Sequence, residues 1–186
     1  MSPLSLNNNT EKELIALCLE GDRIACKQLF DIYSRKMMAL CFRFSRDYNE
    51  AQDIMQEGFV RIFNKLDLFS GQGSFEAWMK RVMINTALKY RQRYVVKHSY
   101  SELGDQHFFD DSPTIIDELS KEEILKLVQE LPDGYRTIFN LYIIEGYSHR
   151  DISEMLDIGE STSRSQLVKA RNILKKKLLN IKKLAG

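Results

Sequence analysis

The run Gly146-Tyr147-Ser148-His149-Arg150-Asp151-Ile152-Ser153-Glu154-Met155-Leu156-Asp157-Ile158-Gly159-Glu160-Ser161-Thr162-Ser163-Arg164-Ser165-Gln166-Leu167-Val168-Lys169-Ala170-Arg171 decides the fold. Gly146 ends a preceding helix, and Ser148 with Asp151 three residues on is a capping box for a short helix carrying Ile152, Met155 and Leu156. Asp157-Ile158-Gly159-Glu160 is a tight turn, after which a long helix starts at Ser161. At about 100° per residue, Ser163, Leu167, Leu174 and Leu178 share one side of that helix, and Thr162, Ser165, Lys169 and Lys176 share the other. The first side packs; the second faces outward. A short helix, a glycine-containing turn and a second helix with a basic outer face form a helix-turn-helix, which lays its second helix in the major groove of duplex DNA. Arg164, Ser165, Gln166 and Lys169 bring donors and acceptors near the helix start, where base edges are reached, and Arg171 or Lys175 suits phosphate neutralisation. The plainer alternative is a helical hairpin with a solvated exterior. For Arg171, closer to the packed side, a structural salt bridge is the competing role.

Charge is sorted along the rest of the chain. Glu160 is the one acid in the C-terminal stretch, against Arg164, Lys169, Arg171, Lys175, Lys176, Lys177, Lys182 and Lys183. Between Ser99 and Glu123 the acids Glu102, Asp105, Asp110, Asp111, Asp117, Glu118, Glu122 and Glu123 face only Lys121. That middle stretch has little apolar periodicity and contains Ser112-Pro113, which suits a flexible connection. Upstream, Phe75 to Lys97 is basic again, while Asp47 to Val60 carries Asp47, Glu50, Asp53 and Glu57 with no base. Any one such run reads as a solvated helix face. Two basic segments in separate folded units point further, to a polyanion.

Helical spacing accounts for the first half. Thr10 and Glu13 form a capping box opening a helix with Leu14, Leu17 and Cys18 on one face. Asp22 caps a second helix to about Phe44, with Ala25, Leu29, Ile32, Tyr33, Met37, Leu40, Cys41 and Phe44 as its apolar series. A third, from about Asn49 to Leu66, repeats the spacing with Ile54, Met55, Phe59, Ile62 and Phe63. Ser70-Gly71-Gln72-Gly73 breaks the chain, and Ser74 caps a fourth helix to about Arg93 on which Phe75, Trp78, Met79, Val82 and Met83 share a side. Trp78, Arg81, Asn85 and Lys89 also form a stripe, and a ring among cations suits stacking and tracking of a single strand. A core role competes for Trp78. After the linker, Glu118 to Leu131 and Tyr135 to Glu145 are amphipathic, joined by Leu131-Pro132-Asp133.

The expected fold is therefore all-α: two small helical domains, 10–94 and 118–184, joined by a flexible acidic linker, 95–117, with the helix-turn-helix in the second. Nine glycines and three prolines among 186 residues leave few turns, which disfavours all-β architecture. No apolar run reaches the roughly 18 residues of a membrane span, and the N-terminus lacks the basic start and apolar stretch of a secretory signal. Cys18, Cys26 and Cys41 form no Cys-x-x-Cys pair and have no nearby histidine, so they read as buried thiols of a reducing cytoplasm, with no metal and no cofactor implied. A nucleic-acid enzyme would need metal-binding carboxylates, a phosphate-cradling loop or an activated nucleophile. Gly71-Gln72-Gly73 lacks a following Lys-Ser or Lys-Thr, and His98, His107 and His149 fit no metal spacing.

Two stretches resemble bacterial RNA polymerase sigma factors of the extracytoplasmic-function (ECF) group. One is Ala51-Gln52-Asp53-Ile54-Met55-Gln56-Glu57-Gly58-Phe59 continuing to Leu66, then Phe75-x-x-Trp78-Met79 and Asn85 with Arg91 and Arg93. The other is Leu131-Pro132, Arg136, Gly146-Tyr147-Ser148, Asp151-Ile152 and Gly159-Glu160-Ser161-Thr162 through Arg164-Ser165-Gln166-Leu167 to Lys169-Ala170-Arg171. The resemblance implies that Asp53, Gln56, Glu57 and Phe59 dock the clamp helices of the largest subunit of core RNA polymerase. It implies further that Trp78, Lys80, Arg81, Asn85, Lys89, Arg91 and Arg93 hold the melted minus-ten promoter element, with a base captured from the unstacked strand. By the same carry-over, Ser148, His149, Ser161, Thr162, Arg164, Ser165, Gln166, Lys169 and Arg171 bind the minus-thirty-five element as duplex. The polymerase flap, promoter DNA and an anti-sigma factor complete the implied partners. Lys89 and Ser163 depart from the usual pattern, which carries Asp and an aliphatic residue at those places. The alternative is a free-standing helix-turn-helix regulator that uses its first domain for dimerisation or sensing.

Overall fold

Side-chain caps and apolar spacing set the helices of the first half. Asp22 accepts hydrogen bonds from the backbone N–H of Ile24 at 2.7 Å and of Ala25 at 3.4 Å, and Asp47 accepts from the N–H of Glu50 at 2.8 Å. These contacts satisfy donors that a helix start leaves without partners. The resulting elements are α1 (Asn8–Leu19), α2 (Arg23–Phe44) and α3 (Tyr48–Asn64). A short 3-10 turn, Leu66–Leu68, follows, and then α4 (Phe75–Lys97). The computed structural model describes residues 8–97 and 121–185, and among these there is no strand.

The chain divides into two compact units, Met1–His98 and Ser99–Gly186. In the first, α2 and α4 pack on α3 and on each other, with α1 against α2. Leu29, Met37, Leu40, Cys41 and Phe44 of α2 meet Ile54 and Ile62 of α3 and Phe75, Met79, Met83 and Ile84 of α4, all buried. Burial pushes the Cys41 thiol up to about 12, and burial with the neighbouring Cys26 does the same for Cys18. Gly58 has a packing role, because a Cβ there would lie 2.1 Å from Met83 Sδ. Gly71 and Gly73 both take positive φ, +74° and +82°, in the loop before α4, a conformation glycine adopts without steric penalty.

Two boundaries and one helix face differ from the sequence expectation. Thr10 lies inside α1, which begins at Asn8, and the buried side of that helix is Leu14, Ile15 and Cys18, with Leu17 turned outward. α1 is covered by α2 and by the 3-10 turn, and Leu17 falls outside the covered strip. The fourth helix runs to Lys97, past the expected end near Arg93 and into the segment assigned to the linker. Residues 98–117 of that linker lie outside the described residues.

The second unit comprises α5 (Lys121–Gln129), α6 (Asp133–Phe139), α7 (His149–Leu156) and α8 (Glu160–Ala185). Leu127, Val128 and Leu131 pack with Ala170 and Leu174 of α8, and Ile124, Tyr135, Phe139, Ile173 and Leu178 cover this cluster. Arg136 is 3% exposed, and its guanidinium donates to the Gln129 carbonyl and to the Asp133 carboxylate, both at 2.8 Å. A buried charge needs such partners. Two features were not predicted. Beyond Phe139 the expected helix continues as a π-helical segment, Asn140–Ile144, rather than α. In the turn after α7 the left-handed residue is Asp157, at φ 54°, not the glycine two positions on. Aspartate tolerates that region better than most residues.

Candidate nucleic-acid interface

Ser148 and Asp151 make the expected reciprocal cap of α7. The Ser148 hydroxyl oxygen accepts from the Asp151 N–H at 3.1 Å, and the Asp151 carboxylate accepts from the Ser148 N–H at 3.0 Å. The Ser148 side chain is thereby committed to the helix start. On α8, Ser163, Leu167, Ala170 and Leu174 are buried, while Ser161, Thr162, Arg164, Ser165 and Arg171 are exposed and Gln166 and Lys169 are half-buried. The helix thus presents the outer face that its spacing requires. Arg164 is held by Glu160 at 2.5 Å, one turn back, and the Ser165 hydroxyl donates to the Thr162 carbonyl at 3.0 Å. His149 is half-buried, its Nδ1 2.8 Å from the Ser163 hydroxyl and its ring stacked on Tyr142 at 4.3 Å between centroids. It joins two helices rather than standing free on the surface.

On α4, Arg81, Asn85 and Lys89 are exposed along one stripe with half-buried Trp78. The Trp78 ring lies 5.7 Å from both Phe69 and Phe75, so it belongs partly to an aromatic cluster at the loop. Lys80 is tied to Glu76 at 3.2 Å, and Lys36 of α2 reaches the same carboxylate at 2.7 Å. These hydrogen bonds, from Lys36 first, hold the Glu76 carboxyl below its usual range. Arg91 is half-buried and Arg93 exposed.

The acidic stretch of α3 is connected to this helix. Asp53 and Gln56 are exposed. The Tyr90 hydroxyl donates to Asp53 at 3.2 Å, and Arg93 donates to Glu57 at 2.6 Å. Arg61 reaches the other Glu57 oxygen at 2.6 Å. Burial pushes the Glu57 carboxyl up, but the hydrogen bonds and charges of Arg93 and Arg61 outweigh it and leave the group below its ordinary value. Phe59 needs a correction. It is 4% exposed, packed on Phe30 at 4.6 Å and Phe63 at 6.0 Å between centroids, and offers no surface to a partner. Its place in the apolar series of α3, beside Ile62 and Met55, already signalled this role. Tyr90 and Tyr142 are residues of these sites that sequence reasoning passed over as contacts, and Ser163, expected on the packed side of α8, meets His149 of α7.

Comparison with known proteins gives the family. Residues 29–111 match Sigma-70 region 2 and residues 121–174 match Sigma-70, region 4, together most of the chain. The RNA polymerase sigma-H factor of Pseudomonas aeruginosa is 29% identical over 185 residues, covering 93% of this chain and 96% of that protein. The ECF RNA polymerase sigma factor SigW of Bacillus subtilis is 28% identical over 183 residues, covering 91% and 97%. Among solved structures, the sigma factor RpoE of Bartonella quintana, in complex with the anti-sigma factor NepR, shares the fold with a TM-score of 0.50 at 21% identity. That alignment covers 82% of this chain and 95% of that one. Two helical units matched in order to these two regions, the second built on a helix-turn-helix, define a transcription initiation factor of the sigma-70 type. The chain belongs to the ECF group of RNA polymerase sigma factors.

Proposed function

We propose that the chain joins core RNA polymerase, directs it to promoters and supplies binding energy for DNA opening, with no catalysis of its own. One observation carries this reading: sigma regions 2 and 4 match in order two helical units, each of which turns a basic helix face outward. In the first unit, exposed Asp53 and Gln56 with Glu57 give an acidic surface for the clamp helices of the largest subunit. The stripe of Arg81, Asn85 and Lys89 beside Trp78 takes the unstacked minus-ten strand, since rings stack bases and cations follow phosphates. In the second, Thr162, Arg164, Ser165, Gln166 and Lys169 read the minus-thirty-five duplex. Base capture from an opened strand needs binding alone.

The protein works in the cytoplasm, where the polymerase is, and no described helix is long and apolar enough to cross a membrane. An anti-sigma partner is the natural inhibitor, as NepR partners RpoE of Bartonella quintana. A free-standing regulator is not favoured, because it gives the region 2 match no task. The test is run-off transcription of sheared genomic DNA by core polymerase with and without the purified chain. New start sites sharing two spaced upstream motifs are expected. Duplex binding without new starts and without retention of core polymerase would return the regulator to first place.

A further inference from the structure

Within that functional reading, on which this inference rests, His149 is not a base contact. We propose that it is the positioning residue of the recognition helix, setting the pose of α8 against α7 through the Ser163 hydroxyl. Three observations converge on it. The Nδ1 of His149, the first residue of α7, lies 2.8 Å from the Oγ of Ser163. Ser163 is 0% exposed and sits on the packed side of α8, one residue from Thr162 and Arg164 of the outward face. The opposite support is the Tyr142 ring, stacked on the imidazole at 4.3 Å and 21°, and Tyr142 is carried by the π-helical segment Asn140–Ile144.

The chemistry explains why a polar pair occupies this place. An aliphatic pair between the two helices would set the rotation of α8 by shape alone, because apolar burial is non-directional. A buried hydrogen bond is satisfied over a narrow range of distance and angle, and leaving its buried hydroxyl unsatisfied carries a penalty. The pair therefore selects one rotation of the recognition helix, and with it the direction in which Thr162, Arg164 and Ser165 point. Tyr142 reaches the ring from within the π-helical segment, whose wider turn differs from a continued α-helix. The imidazole is thus held by stacking on one face and by hydrogen bonding at its edge.

The expected signature separates positioning from both base contact and general stability. A positioning pair governs how well sequence is read, while non-specific attraction to phosphates, which depends on charge, stays as it was. The test uses the full chain assembled with core RNA polymerase. A randomised duplex pool is selected with the unaltered protein, and affinity for the selected duplex is compared with that for random duplex, for His149→Ala, Ser163→Ala, the double variant and His149→Asn.

Each single alanine variant should lower the selected-to-random affinity ratio about fivefold, the equivalent of one neutral hydrogen bond. The double variant should lose no more than either single one, and His149→Asn, whose amide can replace Nδ1, should recover most of the ratio. Random-duplex affinity and its salt slope should not move. An unchanged ratio, multiplicative loss in the double variant, no recovery by asparagine, or equal loss on both duplexes would each overturn the proposal. If the unaltered protein selects no sequence, the promoter-recognition reading itself fails, an outcome distinct from a failure of the variants alone. Ser163→Ala removes a single buried oxygen, so where His149→Ala folds poorly the ratio measured for Ser163→Ala and His149→Asn still decides the proposal.

Discussion

Gly58 shows how one absent atom fixes the approach of two helices. The Cβ of an alanine there would meet Met83 Sδ at 2.1 Å and Cε at 2.9 Å, and Met83 is fully buried. Gly58→Ala should destabilise the first unit by about 1–3 kcal/mol, the usual penalty of overpacking, seen as a lower urea midpoint. No change in midpoint would mean that the Met83 side chain swings aside freely. His149 gives a second test at this scale. Burial first, then the charges of Arg164 and Arg171, lower its pKa from the ordinary 6.5, with Glu160 opposing. The folded chain therefore binds fewer protons than the unfolded one just below pH 6.5. Stability linked to this group is complete above that value and lost as pH falls towards the folded pKa. Thermal unfolding of the second unit should shift to lower temperature between pH 7 and 5, and less so in His149→Asn; parallel curves would rule out this linkage.

The outer face of α8 is where an element carries a prediction of its own. Arg164 and Lys169 lie on it in the second and third turns, Arg164 paired with Glu160 at 2.5 Å. That pair is exposed, and such pairs are worth roughly 0–1 kcal/mol, so Arg164 can exchange its carboxylate for an acceptor on DNA. Replacing both residues by alanine should weaken duplex binding and flatten its salt dependence, because two fewer cations release counterions. An unaltered slope counts against groove contact. The helices were legible from caps and apolar spacing: Asp22, Ser74 and Ser148 start α2, α4 and α7 as expected. The π-helical continuation after Phe139 was not, because nothing in Asn140-Leu141-Tyr142 distinguishes it locally from α-helix.

For the whole molecule, Asp53 and Glu57 are the decisive pair. Both carboxylates are engaged from α4, by Tyr90 at 3.2 Å and Arg93 at 2.6 Å, which places the proposed docking surface and the proposed strand-holding helix in direct contact. Asp53→Lys combined with Glu57→Lys should abolish retention by core polymerase. Helical content measured by circular dichroism should persist, because the broken pairs lie at the surface. Unchanged polymerase affinity would remove the docking assignment. Phe59, the fourth residue carried over to that surface, is excluded by its burial between Phe30 and Phe63.

The sequence by itself determined the all-helical class, the order of helices, the helix-turn-helix and the segregation of charge, because caps and the 3.6-residue period act between neighbours along the chain. It also carried the family resemblance, which depends on motifs in order. Tertiary structure alone decided which polar residues are engaged by residues far along the chain. His149 meets Ser163 14 residues on, Arg93 meets Glu57 across 36 and Tyr90 meets Asp53 across 37. Such contacts depend on the rotation and spacing of packed helices, to which local spacing along the chain is blind.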